Sequence, residues 1–383
     1  MLQDWSEGFA NRFKVAPSAW KVVKVESIEA FPIRIRANES LRGGTFSYSH
    51  FQTVLVKVRA DGVEGWGEAM TRFDPKSTAL MVKYLGKQVT GNEFDDVRSA
   101  WLRGWRELRL RGHTRGTDVE ALSGIEIALQ DCAGKLLRKP INRLYSDRPA
   151  PEVPVFAGSV FASRGSLEEQ VDVAREKGLI GAKVKIGFGV NEDKETLESV
   201  RRAWEDGMLV ADANGAYDAG TAAKACTAFA HLGLAWFEEP VPSDDLKGYT
   251  SLKRSGVPIG AGETWFLGDF DAPIQESLVT VLEPSVSRCG GFGVELDVAR
   301  RAGKRGIRFS PMTGMNSVVS LAASVHAASV VNSAGVEYNP FVNPLQTDLA
   351  SGIEEPRRGK LKVPSGNGLG IEIDGRFVRS HSH

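Results

Sequence analysis

AKVKIGF (Ala182–Phe188), MLVADA (Met208–Ala213), LAWFE (Leu234–Glu238) and VPIGAG (Val257–Gly262) are four short apolar runs that carry or meet charged residues: Lys183 with Lys185, Asp212, Glu238 with Glu239, and Glu263. Lys185, Asp212, Glu238 and Glu263 follow one another at intervals of 27, 26 and 25 residues. That spacing is the length of one strand plus one helix. If successive strands are parallel neighbours, their C-terminal ends lie side by side, and three carboxylates and two lysines from separate stretches meet at one mouth.

Outward from these runs the same texture continues. Val153–Val160, Leu278–Glu283, Ile307–Pro311 and Gly335–Asn339 bring the apolar runs to eight, separated by helical patterns such as Ser166–Lys177, Glu192–Glu205, Gly220–His231, Gly293–Lys304 and Asn316–Val331. The charged residues fall on several consecutive strand ends instead of one switch point, so residues 151–345 are expected to form a closed (β/α) barrel of the TIM type. Residues 1–150 read differently. Stretches 22–36 and 51–67 alternate as strands, with Asp61 and Gly62 as turn residues, and Pro75–Leu137 is helical. Ala37–His50, polar and without helical period, is expected to be a mobile loop. The first third is thus an α+β unit, with residues 1–21 as an N-terminal extension. The strand-like Val363–Ile373 makes residues 346–383 a segment returning to that unit.

The 383-residue chain is 42% hydrophobic and 25% charged, ordinary for a soluble two-domain protein. Acidic and basic residues balance at 48 each, which gives no track for nucleic acid and no attraction to anionic membranes. Cys132, Cys226 and Cys289 form no metal spacing and are read as reduced packing residues. The first residues lack a basic segment followed by an apolar one, and no run approaches about 18 apolar residues, so the expected compartment is the cytoplasm.

Asp212, Glu238 and Glu263 are hard oxygen ligands without histidine or thiolate among them, a set that suits Mg²⁺, with Mn²⁺ the alternative. Asn214 and Glu239 stand beside them as residues that would orient water or a ligating oxygen. Lys183 and Lys185 flank Val184, so strand alternation sends both to one face, the interior in a barrel. Mutual repulsion, a nearby metal and partial desolvation push one of two such amines towards its neutral, basic form.

GAKVKIG (Gly181–Gly187), VADAN (Val210–Asn214), WFEEP (Trp236–Pro240), AGETW (Ala261–Trp265) and SRCGG (Ser287–Gly291), in this order, resemble the enolase superfamily, specifically its mandelate racemase-like branch. GWGE (Gly65–Glu68) and ALSGIEIALQD (Ala121–Asp131) are similar to that family's capping domain, and GLGI (Gly368–Ile371) extends the likeness towards the C-terminus. Sugar-acid dehydratases and galactarolactone cycloisomerases look nearest. The resemblance implies a modified TIM barrel with an α+β capping domain and removal of the proton α to a carboxylate, with the enediolate held on Mg²⁺. It makes Asp212, Glu238 and Glu263 the metal ligands, Lys185 the base, and Lys183 the helper that touches the substrate carboxylate. A small-molecule carboxylate is the implied partner, and a homo-oligomer from dimer to octamer the implied assembly.

The pattern also breaks. Racemase-like members pair a histidine after the seventh strand with an aspartate at the end of the sixth; here those positions are Met312 and Ser285. Racemisation needs a base on each face of the planar intermediate, so a two-base racemase is disfavoured. The expected reaction is one-base: Lys185 takes the proton, and hydroxide or a ring oxygen leaves from the β position. A carboxylate- and metal-binding relative without turnover is the alternative, and a divalent-metal hydrolase would lack its usual histidine ligands. By the same resemblance Glu337 bonds the substrate carboxylate, while Arg42, Tyr48, His50 and Arg72 lie in capping loops that set specificity. Met312 and Met315 are expected as apolar walls, and His326 as a structural residue.

Overall fold

The computed structural model describes residues 23–382, so the extension expected over residues 1–21 lies outside the described residues. β1 (Val23–Arg42), β2 (Ser47–Ala60), β3 (Val63–Ala69) and the two-residue β4 (Glu93–Phe94) form an antiparallel sheet in the order β3-β2-β1-β4. The two-residue turn between β2 and β3 places Asp61 at φ 47° and Gly62 at φ 79°, both in the left-handed region a tight hairpin requires. α1 (Pro75–Val89), α2 (Val97–Arg109) and α3 (Thr117–Leu136) follow. Asp74 starts α1 by accepting a 3.0 Å bond from the Lys76 N–H, with Pro75 in the first turn. α3 is buried from Val119 to Gly134, because it is packed on more than one side. Glycines of β3 allow its close approach: a Cβ at Gly65 would lie 2.2 Å from the Ala128 carbonyl oxygen, and one at Gly67 2.0 Å from that of Gly124.

Ala37–His50 is not a loop. β1 and β2 stay paired to Leu41↔Tyr48 and Arg42↔Ser47, with an irregularity between Arg36 and Leu41, so only residues 43–46 turn. The polar composition suggested a loop because this arm draws its stability from cross-strand pairing and from contacts with the barrel, neither of which is local.

The barrel strands are β5 (Glu152–Phe161), β6 (Gly181–Lys185), β7 (Met208–Asp212), β8 (Trp236–Glu238), β9 (Ile259–Ala261), β10 (Val281–Leu282), β11 (Arg308–Phe309) and β12 (Val336–Tyr338). All neighbours are parallel, in the order β11-β10-β9-β8-β7-β6-β5-β12. A 2.7 Å bond from the Ala334 N–H to the Phe309 carbonyl closes the ring. Seven helices link the eight strands: α4 (Leu167–Glu176), α5 (Val190–Ala203), α6 (Ala219–Phe229), α7 (Leu246–Leu252), α8 (Asp271–Gln275), α9 (Phe292–Gly303) and α10 (Val318–Val330). Each expected apolar run overlaps one strand. The short α7 and α8 have too few residues to show a helical period.

The C-terminal segment touches both bodies. β13 (Ala350–Ser351) pairs with β15 (Glu372–Ile373), and β14 (Lys360–Lys362) adds antiparallel to the start of β5. Gly368 accepts from the Ile141 N–H, Leu369 donates to Asp131 of α3, and the last helix, Gly375–His381, leads to a bridge between Ser382 and Ile33 of β1. Val363–Ile373 is thus mostly irregular, with only its last two residues in a strand.

Two capping-domain carboxylates cap barrel helices. Glu68, at the end of β3, accepts from the N–H groups of Ser317 and Ser320 (2.9 and 3.0 Å) at the start of α10. Glu126 of α3 accepts from Phe292 and Gly293 (2.7 and 3.1 Å) at the start of α9. Behind them, His326 of α10 is fully buried, with Nε2 3.1 Å from the Leu369 carbonyl. Burial pushes its pKa down to about 4, against the pull of that carbonyl. In the unfolded chain the imidazole takes a proton near pH 6.5, so its contribution to stability is complete above that pH and is lost as pH falls through about 4. The loss is on the order of 3 kcal/mol. His326→Gln should therefore flatten the fall of Tm between pH 7 and pH 4, and an unchanged acid slope would refute this.

Candidate active site

The C-terminal ends of the barrel strands gather the expected residues. Lys183 and Lys185 alternate along β6 and are both buried. The register Lys185↔Asp212 and Asp212↔Glu238 sets β6, β7 and β8 side by side, and Glu263 follows β9. Lys183 Nζ lies 2.9 Å from Glu238 and 3.4 Å from Asp212 and touches Glu337 of β12. Lys185 Nζ touches Asp212 and donates to Asn214 Oδ1 at 3.1 Å. Asn214 also donates its N–H to Asp212 at 2.9 Å, and Glu239 accepts from Thr264 Oγ1 at 2.7 Å. Both turn the chain sharply after their strands, Asn214 at φ 45° and Glu239 at φ 38°, a backbone cost that non-glycine residues bear mainly at functional sites.

Burial would lower the pKa of Lys183, but Glu238, Glu337 and Asp212 outweigh it and hold the amine well above its usual range. Burial likewise raises Asp212, and Lys185 and Lys183 reverse this to a value below the usual carboxylate range. Glu238 is pushed up to about 8 by burial and by the charge of Asp212. Glu283, after β10, has no assigned role in the sequence reading, yet it joins this cluster. It accepts from the Trp236 indole at 2.8 Å, and burial with the charge of Glu238 drives its pKa far upward. The same strand-end position that singled out Asp212 and Glu238 could have flagged it.

One oxygen each from Asp212, Glu238 and Glu263 lies within 4.8 Å of the others. Oxygens this near one another can converge on one ion by modest side-chain movement. Arg72 touches Glu263. The all-oxygen, anionic and buried donor set fits a hard divalent cation.

The cluster opens into a small inner chamber of ≈ 30 Å³, walled by Met312 and Met315 opposite the lysines, and then into an outer chamber of ≈ 440 Å³. Lys185, Tyr48 and Arg72 line both; Lys183 and Glu337 line only the inner one, and His50 only the outer. Arg72 donates to the Tyr48 hydroxyl. Ser285 and Arg42 line neither chamber. The Ser285 hydroxyl is buried 3.4 Å from that of Ser287 and 3.5 Å from Asn316 Nδ2, whereas Arg42 is exposed. The β1–β2 arm forms the roof: Arg42 N–H reaches Ser163 Oγ (2.9 Å), Gly44 N–H the Ile186 carbonyl (3.2 Å) and Thr45 Oγ1 the Asn214 carbonyl (3.1 Å). Phe46 places its ring 5.5 Å from Lys185 Nζ.

Residues 34–145 match the mandelate racemase/muconate lactonizing enzyme N-terminal domain, and residues 166–377 the enolase C-terminal domain-like family. The chain belongs to the mandelate racemase-like branch of the enolase superfamily. Among relatives of this enolase-superfamily chain, D-galactarolactone cycloisomerase of Agrobacterium fabrum is 30% identical over 92% of this chain and 97% of its own length. Arabinonate dehydratase of Saccharolobus solfataricus is 27% identical over 83% of this chain and 87% of its own. A solved racemase from Streptomyces coelicolor with bound magnesium superposes with a TM-score of 0.85 at 25% identity, covering 94% of this chain and 100% of that one. The chain is therefore an enzyme of the isomerase or lyase class. Among the described residues no helix is long and apolar enough to cross a membrane.

Proposed function

We propose that this enzyme removes the proton α to the carboxylate of a sugar acid or its lactone and expels a β-substituent, using Lys185 as its one base. The observation that carries the reading is the pair of buried amines on one face of β6, beside three clustered carboxylates, with Met312 on the opposite wall. Asp212, Glu238 and Glu263 would hold Mg²⁺ or Mn²⁺, which supplies positive charge to the carboxylate oxygens as the α-carbon is deprotonated. Lys183, kept protonated by its three carboxylates, offers the substrate carboxylate a fixed cation. Lys185 reaches both chambers and takes the proton, oriented by Asn214. The wall across the chamber holds a thioether that cannot move a proton, so the proton is not returned from the other face. Phe46, on the arm that roofs the chamber, sets its ring beside the amine. The substrate partner is thus a small carboxylate.

Incorporation of solvent deuterium at the substrate α-carbon tests the base and the metal together. Chelator-treated protein should lose it and added Mg²⁺ should restore it; exchange that persists without any divalent cation would refute the reading. Proton release then separates the two eliminations. Opening a lactone breaks the ring C–O bond and frees a second carboxylate, so one proton appears in the medium per turnover. Dehydration expels hydroxide, which leaves as water with the abstracted proton, and no net proton appears. A pH-stat assay distinguishes them.

A further inference from the structure

We infer that the outer chamber receives a second carboxyl group, at the end of the substrate remote from the reacting carbon, and that Arg34 is its receptor. This rests on the proposed reading of the lysine–carboxylate cluster as the reacting end. The β1–β2 register puts Arg34 opposite Gln52 and Arg36 opposite His50, and strand alternation places all four on one face with Tyr48. Arg34, His50, Gln52 and Tyr48 line the outer chamber. Elsewhere on the same two strands cations are matched with acids: Lys57 with its cross-strand partner Glu29 at 2.8 Å, and Arg59 with Glu26 at 2.8 Å. Across the ladder from the two arginines stand Gln52 and His50 instead of acids, and the Arg34 side chain makes no ion pair or hydrogen bond with any described residue. His50 feels the excess: burial first, then Arg34 and Arg36, lower its pKa.

The chamber is therefore polarised. Glu239, Glu263, Asn214 and Lys185 line its deep end, with Arg72 bound to Glu263 and Arg288 3.4 Å from Glu120, while Arg34 stands on the capping-domain wall without an anion among the described residues. An exposed guanidinium lining a cavity of this size, with no acid to neutralise it among the described residues, is a fork for the carboxylate of a ligand. A simple aldonic acid ends in a neutral hydroxymethyl group and leaves that fork empty. A sugar acid with carboxyl groups at both ends fills it, either as an open-chain diacid or as a monolactone whose ring opening frees the distal carboxylate.

Calorimetric binding in the presence of Mg²⁺ tests this without relying on turnover, using galactarate against galactonate and glucarate against gluconate. The wild-type protein should bind at least one diacid about 10- to 100-fold more tightly than its monoacid, the range of one charge-assisted hydrogen-bonded pair. Arg34→Gln should erase that ratio, while Arg59→Gln, on the same strands but away from the chamber, should keep it. Equal affinities in the wild type, a preference that survives Arg34→Gln, or no binding of either diacid would each overturn the inference. Galactaro-1,4-lactone separates the two sources. If the fork receives a freed carboxylate, Arg34→Gln lowers kcat on the lactone more than it raises KM; if it receives one already free, the loss falls on galactarate affinity. Absence of deuterium exchange in every substrate would remove the proposed chemistry while leaving the binding ratio to decide the chamber's role.

Discussion

Replacing Lys185 with alanine is expected to lower solvent-deuterium incorporation at the substrate α-carbon by about 10³- to 10⁴-fold, the scale of a positioned general base. A proton next to a carboxylate is so weakly acidic that electrostatic stabilisation of the product anion does not by itself provide an acceptor for it. Lys183 stands two residues away on the same strand face but cannot substitute. Its amine is engaged by Glu238, Glu337 and Asp212, which hold it protonated, and it lines only the inner chamber. The fold should survive the change, because Lys183 still neutralises Asp212 from 3.4 Å once the second amine is gone. NMR of the substrate in D₂O, with melting temperature followed in parallel, is the measurement. Exchange at the wild-type rate in a folded Lys185→Ala protein would remove Lys185 from the mechanism.

The barrel and the deep end of the site were legible because they rest on local signals repeated at one interval. An apolar run that carries Lys185, Asp212 or Glu238 at or near its end states both a strand and the direction in which its end points. The expectation that repulsion, a nearby metal and desolvation would push one of the two lysines towards its neutral form does not hold for Lys183, which the folded chain surrounds with more carboxylates than the spacing revealed, Glu283 and Glu337 among them. The roof was hidden for another reason. Asn38, Ser40, Gly43 and Gly44 read as a loop, and what makes their surroundings a paired arm is the partner strand and the backbone of β6, at Ile186. Arg34 was invisible as a site residue, since its significance lies in the missing acid opposite it, a fact of register and not of composition.

Glu68 carries the largest expected effect on stability: Glu68→Ala should cost about 3–5 kcal/mol, because it strips one charged, fully buried acceptor from several donors at once. Its carboxylate accepts from the Ser317 N–H and hydroxyl, the Ser320 N–H and the Thr53 hydroxyl, at 2.9, 2.6, 3.0 and 2.7 Å. Three of those donors belong to the barrel and one to the capping sheet, and two are backbone groups at the positive end of α10. Alanine would leave them buried without partners, so the cost exceeds that of an exposed cap. The damage should reach the chemistry, since residues 312–316 run directly into this helix start and bring Met312, Met315 and Asn316 to the inner chamber. Denaturant unfolding should show the midpoint falling, and hydrogen exchange should show the first turn of α10 losing protection while the strands around Lys185 and Asp212 keep theirs. Exchange that rises uniformly over both bodies would mean that Glu68 serves global stability alone and does not fasten the capping domain to this end of the barrel.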